Sequence, residues 1–495
     1  MPDGVAAAPV PEPAPLSSAA SRRGWPAALA VGESGALCFD GVDLAALARE
    51  RGTPLWAISR ATVEANWHAL DDALRARWPR HEIAYSMKTN NVLALVALLH
   101  GLGARLDCSG AYELEAAARA GVPSSDVILN GAGKSDEALA LAARLGVRQV
   151  NIDSPDEARR LDRLAGEAGT RVPCTVRVVL GHQRLLARDP SYASSQRAAD
   201  KHGSDRLSGQ ALEAIEAVVR SRNLDFVGLH HHVVFPGYLS DYAPERALAQ
   251  HGESARELCE VANEARRRFG VSIDRLDLGG GLRAGGEALV APLGAPEQAG
   301  WHRLPTATAF ADAVCGAIEE FIEQDELPLV QFESGANMVW NAQVLLAAVS
   351  EVKDAARRDE PRRRYAYLDA SAMMFMSRGM RMGHPAVPVA RPLAAADPEW
   401  PVELVGQTCM GDTVADGLAL PRLEPGEVVA LLHQGAYCEA LSTQVNSIPR
   451  PEVVLLDRGA VSVVRRRETL DDVHARDAVP AGLGRTAGAA AAAPA

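Results

Sequence analysis

From about residue 60 to residue 335, short apolar runs rich in β-branched residues alternate with longer stretches of helical periodicity. That alternation predicts parallel strands joined by helices. Strands are expected at Ile83–Ser86, Ala104–Asp107, Val127–Asn130, Gln149–Ile152, Thr175–Leu180, Phe226–His230, Arg275–Leu278 and Leu329–Phe332. Helices are expected between them at Ala61–Trp78, Glu113–Ala120, Ser135–Leu145 and Gly252–Phe269. Eight strand–helix units in this order predict an α/β fold, a (β/α)8 TIM barrel. Beyond it the pattern changes to β-type runs such as VVALLH and PEVVLLD separated by turns, which predicts a second unit, a C-terminal β-domain.

The expected organisation is a disordered tail at 1–30, a segment at 31–57 that packs on the β-domain, the barrel at 58–335, the β-domain at 336–475, and a second disordered tail at 476–495. Both ends are rich in Ala with Pro or Gly and offer no periodic apolar residues to bury. A chain of 495 residues has room for more than one core, and 47% apolar with 23% charged residues describes an ordinary globular protein. No stretch is apolar for long enough to span a bilayer, and the start has neither the basic cluster nor the apolar run of a signal peptide. A net charge of −12 argues against a broad polyanion-binding surface, so neither nucleic acid nor a membrane is an expected partner. Seven cysteines without dense regular spacing form neither a disulfide framework nor a zinc ribbon, which predicts a reducing, cytoplasmic location.

The candidate chemistry sits where barrel strands end. YSMKTN places Lys88 directly after the first apolar run, at the face where barrels carry reactive groups. An amine desolvated there can attack an aldehyde, although Lys88 taken alone reads as a surface cation. LDLGGGL runs into Gly279, Gly280 and Gly281, whose backbone can approach a phosphate without Cβ obstruction; glycine triplets are also plain turns, and this one lacks dinucleotide spacing. Glu333 ends the eighth run in QFESG, where a carboxylate can pair with a protonated pyridine nitrogen or with a neighbouring cation. GLHHHVVFPG offers His230, His231 and His232, but further metal ligands cannot be placed from sequence, so no metal is expected.

In this order the segments resemble the fold-type III pyridoxal phosphate decarboxylases, the family of the diaminopimelate, ornithine and arginine decarboxylases, over about 55–460. YSMKTN resembles the family's Y-A-V-K-A-N. LDCSGAYELEAAARAGV, with Asp107, Ser109 and Glu113, resembles its D-x-x-S-x-x-E-L segment. TVRVVL, LDLGGGL, QFESG, GQTCMGDTVADG and GAYCEAL are similar to further family segments. The resemblance implies pyridoxal 5'-phosphate held as a Schiff base on Lys88. It implies cofactor contacts from Asp107, Arg177, His232, Gly279, Gly280, Gly281, Glu333 and Tyr437. It further implies removal of the α-carboxylate of an amino-acid substrate, with Cys409 of the partner subunit as the acid in an obligate homodimer with shared active sites.

Departures from the family pattern bear on the substrate. Val234 and Phe235 replace a glycine–serine, Ala336 replaces an arginine, and Met410 replaces the acidic residue after the cysteine. Arg378, Asp369 and Asp412 are the candidate substrate-binding residues, Asp412 as a stand-in for the missing acid. A diaminopimelate-like, basic or specialised amino acid is expected, with an apolar distal end facing Met373, Met374 or Phe375 as one form. Three alternatives are an amino-acid racemase or epimerase, a noncatalytic regulatory homologue, and a small cofactor-carrier protein. The cysteine and G-A-Y segments, the retained Lys88, Glu333 and His232, and the length of the chain argue against them in turn.

Overall fold

The structure is a computed structural model that describes residues 22–480 and 483, except 191–200, 234–243, 291–299, 357–361, 375–383 and 398. Local sequence signals start and stop the elements. The helix Asp136–Leu145 begins where the Ser135 hydroxyl accepts the Ala138 N–H and ends at Gly146 in the left-handed region. Its buried face, Ala138, Leu139, Ala142 and Ala143, follows the helical period.

The parallel strands are β1 (His81–Ser86), β2 (Arg105–Cys108), β3 (Val127–Leu129), β4 (Gln149–Ile152), β5 (Val172–Val179), β6 (Leu224–His230), β7 (Arg275–Asp277) and β8 (Leu329–Ser334). Each pairs with the next in chain order, and β8 pairs with β1, so the sheet closes on itself as the expected barrel. Helices cover its outer face, where Val150 and Ile152 of β4 are fully buried while Gln149 and Asn151 alternate to the inside.

The second sheet runs in the order Thr413–Leu418, Val402–Val405, Arg363–Leu368, Gln343–Ala355, Leu55–Ser59, Glu452–Asp457, Ala460–Arg465. The strand Leu55–Ser59, from before the barrel, lies between two strands from after it, antiparallel to Gln343–Ala355 and parallel to Glu452–Asp457. Its Ser59 then caps the helix Arg60–Arg77, the first of the barrel layer. The barrel is thus threaded between two parts of one β-domain.

One expectation needs correction: order begins within the tail assigned to 1–30. Arg23 donates to both carboxylate oxygens of Glu287, at 2.9 and 2.8 Å, and lies over the Trp301 ring at 5.5 Å. Gly24 presents its carbonyl to His433 Nε2 at 2.7 Å, and Leu29–Val31 opens a small antiparallel sheet. A paired arginine and a close backbone approach anchor this segment where Ala/Pro composition alone predicts none. Among the described residues no helix is long and apolar enough to cross a membrane.

Candidate active site

The inside of the barrel is polar. Period-two alternation in the strands sends Arg105 and Asp107, Gln149 and Asn151, Thr175 and Arg177, Arg275 and Asp277, and Gln331 and Glu333 to the lumen. Arg275 Nη1 donates to Gln149 Oε1 at 2.7 Å, Gln149 Nε2 donates to Asn151 Oδ1 at 2.7 Å, and Asn151 Nδ2 donates to Glu333 Oε1 at 3.0 Å. Gln331 Nε2 lies 2.5 Å from Asp277 Oδ2. A connected column therefore rises through the lumen to the catalytic face.

Glu333 ends that column, with only 1% of its surface exposed. Asn130 Nδ2 donates to both of its oxygens, at 2.8 and 2.9 Å, while His230 Nε2 and His232 Nδ1 lie 3.3 and 3.5 Å from Oε2. Burial alone would raise this carboxyl, but His230, then His232 and Lys88, outweigh it and hold Glu333 well below the usual carboxylate range. The site floor is consequently a fixed anion.

Lys88 stands on the turn Met87–Thr89 directly after β1, its side chain about one-third exposed, with Nζ 2.8 Å from Asp107 Oδ2. Burial works to lower the amine, yet Asp107, Tyr437 and Glu333 together hold it above the ordinary lysine range. Asp107 is fully buried, also accepts the Ser86 hydroxyl at 2.7 Å, and leaves Oδ1 without a partner. Glu113 accepts the Ser109 N–H, and burial pushes its carboxyl up.

The glycine triplet follows β7. Gly279 has φ +62°, and a Cβ there would come within 2.4 Å of the His231 carbonyl. At Gly280 a Cβ would meet the Glu333 carbonyl and His232 Cε1, each at 2.8 Å. Only glycine fits this approach. The Gly280 N–H donates to His232 Nδ1 at 3.1 Å, and burial lowers that imidazole to about 4, so His232 is neutral. His230, His232 and Glu333 present atoms within 4.8 Å of one another; the Gly280 amide engages His232 Nδ1 and the asparagines engage the carboxylate, while both ring nitrogens of His230 make no hydrogen bond among the described residues. Tyr437, at φ +57°, ties its N–H to the Thr89 carbonyl at 2.9 Å and so stands beside the Lys88 turn. Arg177 is 8% exposed and, among the described residues, its guanidinium makes no hydrogen bond or ion pair. A buried, unpaired cation calls for an anionic ligand.

The structure thus brings Lys88, Asp107, His232, Gly279, Gly280, Glu333 and Tyr437 into one contact network at the barrel mouth, with Arg177 on β5 and Gly281 in the same loop. It does not bring Asp412 there as a reader of a distal amine. Asp412 accepts the Ala372 N–H at 2.6 Å, the Ser371 hydroxyl at 3.0 Å, and the Thr408 N–H and hydroxyl at 2.9 and 2.6 Å. Its lone pairs are used in pinning the cysteine loop. Asp369 is likewise engaged, by the Ala348 N–H at 2.8 Å and the Thr53 hydroxyl at 2.5 Å. Cys409 is exposed on the β-domain with Sγ 3.8 Å from Asn446 Oδ1, and Met410 beside it is 53% exposed. Arg378, Val234, Phe235 and Phe375 lie outside the described residues.

Asn130, Asn151, Asp277 and His230 went without a role in the sequence reading. For Asn151 and Asp277 the signal that could have found them is a polar residue at every second position of strands otherwise apolar enough to be buried on both faces; Asn130 and His230 instead follow or end apolar runs.

Pyridoxal phosphate combines a phosphate, a phenolic oxygen, a ring nitrogen and an aldehyde, and each finds a matching group here. A fixed anion, an unpaired buried guanidinium, Cβ-free backbone and an amine are all present. A family model described as pyridoxal-dependent decarboxylase, pyridoxal binding domain, matches residues 60–339. The diaminopimelate decarboxylase of Pseudomonas aeruginosa is 30% identical over 449 residues, covering 90% of this chain and 97% of its own. That of Methanothermobacter thermautotrophicus is 29% identical over 462 residues, covering 92% and 98%. The crystal structure of diaminopimelate decarboxylase from M. jannaschii superposes with a TM-score of 0.79 at 25% identity, covering 92% of this chain and 99% of that one.

Proposed function

We propose roles and a substrate class from one premise: this chain belongs to the pyridoxal-dependent decarboxylase family. It is a pyridoxal phosphate-dependent enzyme that removes the α-carboxylate of an amino acid, and racemisation is not the favoured reading. When bound, the cofactor supplies an electron sink for the pair released as carbon dioxide leaves.

Lys88 would hold the cofactor through its amine, and Asp107, 2.8 Å away, would take and return the proton of that amine. Glu333 would be the anion paired with the ring nitrogen. His232, neutral and fixed by Gly280, would hold the ring, while Arg177 would neutralise an anionic oxygen. The N–H groups of Gly279, Gly280 and Gly281, with Tyr437, would hold the phosphate. Cys409 of the partner subunit returns a proton to the substrate carbon. Its exposure on a loop of the β-domain supports a shared site in a homodimer. The barrel is residues 58–335 and the β-domain 336–475, with the segment 31–57 packing on it. Seven free thiols support a cytoplasmic location.

The observation that carries this reading is the buried Glu333 anion within the field of Lys88 at the barrel mouth. A diaminopimelate-like, basic or specialised amino acid fits the family. Met410 beside Cys409, together with the internal engagement of Asp412, supports a distal end that is more apolar than a second amino-acid centre. The test is to supply the purified enzyme and pyridoxal phosphate with L- and D-amino acids, among them diaminopimelate, ornithine, lysine and arginine, and to record carbon dioxide release. Release from an amino acid with an apolar distal end, above that from diaminopimelate, is expected. Preference for diaminopimelate would overturn the substrate assignment and leave the reaction standing.

A further inference from the structure

Two buried carboxyl groups enter the lumen from neighbouring strands. Asp277 on β7 is fully buried and Glu333 on β8 nearly so. Taking two carboxylates out of water side by side is unfavourable unless each has its own cation. Glu333 accepts amide hydrogen bonds from Asn130 and Asn151 and lies within the field of the Lys88 ammonium. Asp277 makes no ion pair among the described residues. The cation nearest along its own strand, Arg275, directs Nη1 to Gln149 Oε1 at 2.7 Å and Nη2 toward Asp274 at 3.5 Å. The other charged group acting on Asp277 is Asp107, a second anion.

The partners of Asp277 fit a neutral acid. Oδ1 accepts the Gly279 N–H at 2.9 Å. Oδ2 is paired with the terminal amide of Gln331, whose Oε1 makes no hydrogen bond among the described residues. Turning that amide over would present its unpartnered oxygen to a carboxylic proton on Asp277, at no loss of another hydrogen bond. Gln149 Nε2, at 3.4 Å, adds only a long contact.

We propose that Asp277 is kept as the neutral carboxylic acid and acts as a positioning residue, anchoring the Gly279 turn while leaving Glu333 the only carboxylate of the pair. Burial and the neighbouring Glu333 push Asp277 well above the usual carboxyl range, in the same direction. The protonation stands on the lumen geometry; only its consequence for the cofactor rests on assigning Glu333 to the ring nitrogen. One fixed negative charge then faces that nitrogen, and the glycine turn is tied to the barrel core by a group that adds no second charge.

Infrared spectroscopy of the full-length holoenzyme, with and without 4-13C-aspartate labelling, tests the protonation directly. At neutral pH a label-sensitive carboxylic acid C=O band is expected, retained in Asp369→Asn and lost in Asp277→Asn. Absence of the band, or its loss in Asp369→Asn instead, overturns the proposal. Asp277→Asn is neutral and nearly isosteric, so its pyridoxal phosphate dissociation constant and kcat/KM should stay within about threefold of wild type. A loss of roughly tenfold or more in both, in a variant with wild-type circular dichroism, would show that a negative charge is needed there. If Asp277→Asn does not fold, the labelled band in wild type and in Asp369→Asn still decides. If the amino-acid panel fails while the band is present, the role assigned to Glu333 falls and the protonation stands.

Discussion

Lys88 rests as an ammonium beside Asp107, and its amine becomes nucleophilic only after the proton has moved. Lys88→Ala should therefore remove the visible absorbance of the bound cofactor; an unchanged spectrum would defeat the assignment. Glu333 works through its surroundings as much as through its own charge. Removing Asn130 takes away the donors at 2.8 and 2.9 Å and leaves a buried anion short of hydrogen bonds, worth about 1–3 kcal/mol. Asn130→Ala should lower kcat/KM by roughly tenfold and shift its pH profile, and Asn130→Gln should restore part of both. A loss with no change in the profile would mark a packing role only. Lys88, Glu333 and the glycines were legible in sequence because each ends an apolar run. Asn130, Asn151 and Asp277 were not, since a polar residue in a strand shows its purpose only once the facing strands are known.

At the scale of elements, the loop after β7 is held from several sides: Gly279 by Asp277, Gly280 by His232, and the Gly279 carbonyl by the N–H of Glu333, whose own carbonyl lies close to Gly280. Gly280→Ala puts a methyl 2.8 Å from that carbonyl and from the His232 ring. The expected result is a loss of cofactor affinity of about tenfold or more and of stability by about 1–3 kcal/mol, read by spectroscopic titration and urea unfolding. Unchanged affinity would show that the loop does not carry the phosphate. The barrel strands were expected close to where they lie, because β-branched runs bounded by turns leave little choice. The helix expected from Gly252 begins earlier, at Pro244. Local composition weakly marks a helix start when charged residues such as Glu245 and Arg246 open it.

For the whole molecule, the barrel alone does not complete the proposed site, because Cys409 stands exposed on the β-domain. Mixed chains of Lys88→Ala and Cys409→Ala should regain activity that neither has alone, up to about a quarter of the sites in a random dimer mixture. No recovery would place Cys409 outside a shared site. His433 joins the N-terminal segment to the β-domain, and burial lowers it to about 3. Its folded value lies below the ordinary 6.5, so as pH falls below 6.5 the unfolded chain binds a proton that the folded chain refuses, and stability is lost. The unfolding free-energy advantage of wild type over His433→Gln should shrink by up to about 1.4 kcal/mol per pH unit below 6.5. A gap that is constant or widens would contradict it.

The sequence by itself determined the barrel, the β-domain and the cofactor, and it named most of the residues that gather at the barrel mouth. Strand periodicity and glycine requirements are local, and the order of motifs is written along the chain. Only the tertiary structure decided that the lumen is a connected polar column, that Asp412 turns inward, and that Arg23 and Gly24 clamp onto a distant hairpin and His433. Those outcomes depend on which strands close next to one another and which lone pairs are already taken, and both are properties of contacts between residues far apart in sequence.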